Sequence, residues 1–305
     1  MTDYRRPERF LGLDNPSSQR ETSAAWMLSI PLDMTTSYLG GTRLGPSAII
    51  EASNQVELYD MEFEVEAGPE YGVHMLPVLH PTLASAQEAV ESITQAVNAL
   101  DLRDRLLVTL GGEHTITVGL VAAFAPRHPD LIVVQIDAHS DLRDSFDGTP
   151  YSHACTARRF LDFAPALQFG IRCLSPEEVD FARQSDRVKM WTAEAMYRDR
   201  ERRYLDELRR AVAGRPVYLT IDLDGLDPSI MPAVGTPEPG GIGWYDCLDL
   251  IRTVAYSGRV VAFDCVELCP MPGGHGSAFA AARLVYKTLN YVMASRGKLK
   301  MPATD

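Results

Sequence analysis

Leu131–Asp141 reads LIVVQIDAHSD, and it holds the fold and the chemistry side by side. The first six residues form a nearly unbroken apolar run, the pattern of a strand covered on both faces. Asp137, His139 and Asp141 follow at a spacing of two. Alternate side chains of an extended segment share a face, so these three can converge on one point just past the end of the strand.

Working outward, the same arrangement returns. Leu106–Leu110 is followed by Gly111-Gly112-Glu113-His114, Pro216–Ile221 by Asp222-Leu223-Asp224, and Arg259–Phe263 by Asp264 and then Glu267. Trp26–Pro31 and Leu167–Ile171 are further strand-like runs. Between the runs lie stretches of helical periodicity: Ala84–Leu100, with Val90, Ile93, Val97 and Leu100 on one stripe, then Tyr204–Val212 and Ala278–Met293. Alternating strand and helix predicts an α/β fold with a mainly parallel sheet and helices on both faces. In open sheets of this kind ligands bind beyond the carboxyl ends of the strands, and four separate runs here carry Asp, Glu or His to that edge.

His114, Asp137, His139, Asp141, Asp222 and Asp224 give six donors, four carboxylates and two imidazoles. Four carboxylates crowded into one crevice repel and lose hydration, at a cost that calls for cations. One divalent ion would use about four such donors; two ions sharing carboxylates would use all six. Oxygen and imidazole without thiolate suits manganese better than structural zinc. Singly the motifs are weaker: a lone D-x-D is often a turn or helix cap, and Gly-Gly often only a turn. Their recurrence after several strands separates a metal site from a polar cluster.

The chain has 305 residues and a formal net charge of -12, from 29 basic against 41 acidic residues. An acidic surface argues against nucleic acid and anionic membranes as partners. No stretch is apolar and long enough to span a bilayer, and Met1–Phe10 lacks the apolar core of a signal peptide. Five cysteines without a C-x-x-C pair argue against a disulfide framework or a thiolate zinc site. A cytoplasmic protein is expected.

Gly111–Thr115 (GGEHT), Asp137–Asp141 (DAHSD) and Thr220–Pro228 (TIDLDGLDP) resemble the signatures of the ureohydrolases, the family of arginase and agmatinase. The likeness runs from about Ile30 to Tyr291. It takes in Gly40–Pro46, Ser152-His153 and Glu267–Pro270, and is nearest the bacterial agmatinase-like branch at Phe169–Arg172 and Gly214–Tyr218. The resemblance implies a three-layer α/β/α sandwich, a single domain over 24–305 after an N-terminal arm over 1–23, and assembly as a homotrimer or homohexamer. It implies two Mn2+ per subunit, one held by His114, Asp137, Asp141 and Asp222, the other by Asp137, His139, Asp222 and Asp224. His153 would be a proton shuttle and Glu267 the carboxylate that receives a guanidinium.

The chemistry so implied is release of urea from a small guanidino compound, agmatine giving putrescine. Asp141 would act as catalytic base beside His153 and Glu267. Guanidinobutyrate, guanidinopropionate, guanidine, arginine and formimidoyl-glutamate are alternative substrates. A single-zinc deacetylase-like hydrolase and a silent scaffold are alternative classes; His114 and Asp224 beside Asp222 argue against the first, and the presence of all six donors against the second. Asp144, Asp147 and Glu238 are candidates to hold agmatine's ammonium, whereas Arg143 in the tail pocket would favour a carboxylate-bearing substrate. Two departures from the family stand out: Ala154 where glycine usually follows the shuttle histidine, and Arg143 where arginases carry a small polar residue.

Overall fold

The computed structural model describes residues 9–302. Ten strands run in chain order: β1 (Ala25–Ile30), β2 (Tyr59–Asp60), β3 (Val65–Glu66), β4 (Val73–Met75), β5 (Leu106–Gly111), β6 (Ile132–Ile136), β7 (Ala166–Ile171), β8 (Val188–Thr192), β9 (Pro216–Asp222) and β10 (Arg259–Val266). β2 and β3 form a small antiparallel pair. The other eight make one sheet in the order β4-β1-β5-β10-β9-β6-β7-β8, parallel throughout.

The period of two along each strand divides the core into two layers. Val217, Leu219 and Ile221 of β9 face one cluster, with Ile49, Leu208, Val254 and Leu284 from the helices on that side. Tyr218 of the same strand faces the other cluster, with Ile93, Leu120 and Phe160. β6 divides likewise, Ile132, Val134 and Ile136 against Val133. The expected three-layer sandwich is therefore present. Helix Ala86–Asn98 shows why its sequence folds locally: Ser85 caps it by accepting the Glu88 N–H at 3.1 Å, and Val90, Ile93 and Val97 form its buried stripe. Among the described residues no helix is long and apolar enough to cross a membrane.

Residues 1–8 of the expected N-terminal arm lie outside the described residues. The remainder, 9–23, turns through two short 3-10 segments and buries Phe10, Leu11 and Leu13 in the first core layer. Three main-sheet or hairpin features were not among the expected strands: β4, β8 and the β2–β3 pair.

What matters for the site is the middle of the sheet. β5, β10, β9 and β6 are consecutive neighbours, and their carboxyl ends deliver His114, Glu267, Asp222 and Asp137 to one place.

Candidate metal centre

Past β5 the chain must pass Leu32 closely: a Cβ on Gly112 would stand 1.9 Å from the Leu32 carbonyl oxygen. Gly112 accepts the Glu267 N–H, and the next residues turn so that the His114 N–H donates to Glu267 Oε1 at 2.6 Å. Gly112 thus serves a close crossing that sets His114 against Glu267, while Gly111 leaves room for the Ile116 and Val266 side chains.

The His114 ring is buried, and its tautomer follows from its neighbours. The Thr220 hydroxyl donates to Asp264 Oδ1 at 2.6 Å. Its single hydrogen is then committed, so at 2.9 Å it accepts the His114 Nε2–H. Nδ1 is left with a bare lone pair. Three carboxylate oxygens surround that nitrogen, Asp137 Oδ2 and Asp141 Oδ2 each at 3.1 Å and Asp222 Oδ2 at 3.2 Å. Yet Nδ1 makes no hydrogen bond to any of them. A buried lone pair facing three acceptors fits a cation among the four atoms, and a fixed far-side hydrogen bond is how a histidine ligand is normally oriented.

A second set of donor atoms shares Asp137 with the first: Asp137, His139 and Asp224 each bring an atom within 4.8 Å of the others. His139 Nδ1 stands 2.9 Å from Asp224 Oδ2 and 3.8 Å from Asp137 Oδ1. The local turns are self-made. Asp137 Oδ1 accepts the His139 N–H at 2.6 Å, Asp222 Oδ1 accepts the Asp224 N–H at 2.9 Å, and Asp224 Oδ1 accepts the Ala138 N–H at 3.1 Å. The D-x-D segments therefore do cap their own turns, and the oxygens not so used face the centre. All six sequence-expected donors meet here. Asp222 reaches the set around His114, while the set around His139 comprises Asp137 and Asp224.

The electrostatics point the same way. Burial, with Asp224 and Asp141 beside it, pushes the Asp137 carboxyl up to about 7. Burial, with Asp224 and Asp137 close by, holds Asp222 well above the usual carboxylate range. Divalent cations are what would let these groups ionise together. Two carboxylates are also presented from strained backbone: Asp141 has φ +53° and Glu267 has φ +66°, the left-handed region that side-chain-bearing residues rarely adopt.

His153 opens a 3-10 turn, His153–Cys155. Its Nε2 lies 3.0 Å from Ser37 Oγ, and its Nδ1 lies 3.9 Å from Glu267 Oε1. With Ala154, Arg143, Phe146 and Glu267 it lines a cleft of about 170 Å³ over the donors.

Several supporting residues went unread in the sequence. Glu113, inside the GGEH motif, accepts the Met34 and Thr35 N–H groups at 2.7 Å each, and Thr35 Oγ1 in turn accepts the His153 N–H at 2.9 Å. Glu178 completes a capping box with Ser175 and also accepts from Ser140 Oγ and the Leu142 N–H, fixing the loop that carries Asp141. Arg172 donates to the carbonyls of Asp224, Leu226 and Glu238, tying two loops together. Asp264, which the sequence places at the site's edge, is instead buried within β10 and accepts from Thr117, Tyr218 and Thr220.

Of the candidates for a substrate ammonium, Asp144 is taken by Arg159 at 2.7 Å and Asp147 is exposed. Glu238 brings a carboxylate oxygen within 4.8 Å of donor atoms of His139 and Cys173, two residues of the cleft lining. Arg143 lies over the Phe146 ring at 5.1 Å, with its Nε 3.8 Å from Glu178.

Comparison with known proteins gives a consistent result. The model of the family described as "Arginase: Arginase family" matches residues 23–290. The N(1)-aminopropylagmatine ureohydrolase of Synechocystis sp. is 36% identical over 299 residues, 96% of each chain. The agmatinase of Bacillus cereus is 35% identical over 82% of this chain and 85% of its own. Among solved structures, proclavaminate amidino hydrolase from Streptomyces clavuligerus superposes with a TM-score of 0.84 at 28% identity, over 96% of this chain and 99% of its own. Agmatine ureohydrolase of Thermoplasma volcanium gives a TM-score of 0.77 at 31% identity, over 90% of each chain.

Proposed function

The chain belongs to the arginase family, and we propose that it is a binuclear manganese hydrolase that releases urea from an amine-tailed guanidino compound of the agmatine class. The observation that carries this reading is the meeting of six donors with Glu267, a buried carboxylate outside both donor sets. Two further features support the amine tail: Glu178 stands 3.8 Å from Arg143 Nε, and Glu238 brings a carboxylate oxygen close to His139 and Cys173 of the cleft lining.

In this reading His114, Asp137, Asp141 and Asp222 hold one ion, and Asp137, His139, Asp222 and Asp224 the other. Bound there, two divalent cations would acidify water and supply a nucleophile at neutral pH. The chain's own groups do the rest. Glu267 accepts hydrogen bonds from the guanidinium and orients its carbon. Asp141 accepts a proton and passes it to the departing amine. His153, between Ser37 and Glu267 at the cleft wall, exchanges protons between the site and solvent, for which an imidazole is suited. Glu238 receives the distal ammonium. A cytoplasmic homotrimer or homohexamer belongs to the same reading.

Urea release should be measured over a panel of agmatine, N1-aminopropylagmatine, guanidinobutyrate, guanidinopropionate, guanidine and arginine, with manganese present. Agmatine or its aminopropyl derivative should give the highest kcat/KM. The aminopropyl derivative is favoured by the activity for which the Synechocystis relative is named. A best substrate with a carboxylate tail would overturn the amine-tail reading, and no urea from any of them would overturn the activity. Glu238→Gln should raise KM for the amine-tailed substrate and leave KM for guanidine alone.

A further inference from the structure

The amino edge of the sheet carries a second cavity, of about 860 Å³, bounded by the starts of β1, β5 and β10 and by the segments Leu100–Arg105, Arg127–His128 and Met293–Lys298. Its lining has six Arg and Lys side chains against two carboxylates, in a chain whose net charge is -12. One carboxylate is used locally, Asp101 pairing with Arg103 at 2.8 Å.

Three of the other cations are held by carbonyls, which orient a guanidinium without neutralising it. Arg296 donates to the Asp104 and Val260 carbonyls, Arg127 to those of Val97 and Asn98, and Arg105 to that of Glu21. Arg105 Nε is buried and has no acceptor. Among the described residues neither Arg259 nor Lys298 forms an ion pair, nor does any of the three carbonyl-bound arginines. Like charges press on one another here. Burial and then Arg259 beside it push the Arg296 guanidinium down to about 10, and burial, Arg259 and Arg127 lower His128.

We infer that this cavity is a binding site for a small molecule carrying two or more phosphate groups. Guanidinium forks match phosphate oxygens in pairs, and the volume is that of a small-ligand site. Carbonyl-held arginines are ordered in advance, so little freedom is lost on binding. The site lies at the opposite sheet edge from the metal centre and does not compete with the guanidino substrate.

The test uses the manganese-loaded enzyme and isothermal titration calorimetry, with excess manganese in syringe and cell. The probes are fructose 1,6-bisphosphate and, as the carboxylate arm, citrate. The bisphosphate should bind once per chain. Its affinity should fall at least about tenfold in the double variant Arg259→Glu/Lys298→Glu, and should weaken as salt is raised, as screened charge pairs do. Neither residue has an ion-pair partner to lose, so urea release should be unchanged. Absence of heat, heat unaffected by the double variant, or citrate binding in preference to the bisphosphate would overturn the assignment. So would a double variant that alters only the oligomeric mass, since a second copy would then be what fills the cavity.

Discussion

The two edges of one sheet carry opposite charge problems. At the carboxyl edge four aspartates are buried around two imidazoles, and the protein supplies no lysine or arginine to the set. At the amino edge arginines gather with almost no carboxylate. The difference lies in what holds them. Asp137, Asp222 and Asp224 accept main-chain N–H groups, which favour the anion and leave other oxygens facing inward; Arg105, Arg127 and Arg296 donate to carbonyls, which favour the cation and leave N–H groups over. Both edges thus gather charge of one sign and hold it with main-chain groups rather than with opposite charge. Burial makes the carboxyl edge the more demanding of the two.

The largest effect should come from breaking the shared part of the carboxyl edge. Asp137→Asn and Asp222→Asn should each lower kcat by about a thousandfold or more, since the ions' contribution is several kcal/mol and each 1.36 kcal/mol is tenfold. Asp224→Asn should cost less. Elemental analysis after manganese reconstitution should give two ions per chain in the parent and fewer in the first two variants. Equal activity and metal retention in all three would remove the distinction between shared and single ligands.

His153→Phe should lower kcat by about a hundredfold, the lower range of acid–base effects, with metal content intact and partial rescue by added imidazole. Manganese loss in this variant would make His153 a ligand instead. Glu267→Gln keeps an acceptor for the His114 N–H but loses the charge. At roughly 1.5–3 kcal/mol for a charge-assisted bond, kcat/KM should drop about tenfold to a hundredfold, again without metal loss; parental kcat/KM would argue against a guanidinium at that carboxylate. Arg259→Glu alone, at the amino edge, should leave kcat/KM within about twofold, as expected of an exposed side chain remote from the chemistry. A large loss of activity would mean that the two edges are coupled.

The sequence was readable where burial is complete. β1, β5, β6, β7, β9 and β10 lie inside the sheet and are buried on both faces, so their apolar runs are nearly continuous. β8 is an edge strand with half-exposed Val188, Met190 and Trp191 and exposed Lys189 and Thr192, and its mixed composition hides it. β4, the opposite edge, is three residues long. The candidate metal donors were legible because each lies at or within five residues of the carboxyl end of an apolar strand. Glu113 and Arg172 were not, because what they do depends on partners tens of residues away, and the same holds for Glu178 beyond its local capping box with Ser175. Asp264 was misplaced for a related reason: β10 extends to Val266, past the run Arg259–Phe263, so a polar residue inside the strand looked like one beyond it. Its hydroxyl partners from β9 and the helix after β5 make that interior position tenable.

The left-handed backbone at Asp141 and Glu267 sets the working parts of the centre against the durability of the fold. Such conformations cost on the order of 1–3 kcal/mol each in residues other than glycine. In metal-free protein Asp141→Gly should therefore raise the melting temperature, by relaxing the turn and by removing one of the crowded carboxylates, while abolishing urea release. A melting temperature below that of the metal-free parent would show that the turn is comfortable as it stands. If it rises, heat resistance and turnover are in direct competition at that single codon, and selection for a tougher chain would erode the centre from there first.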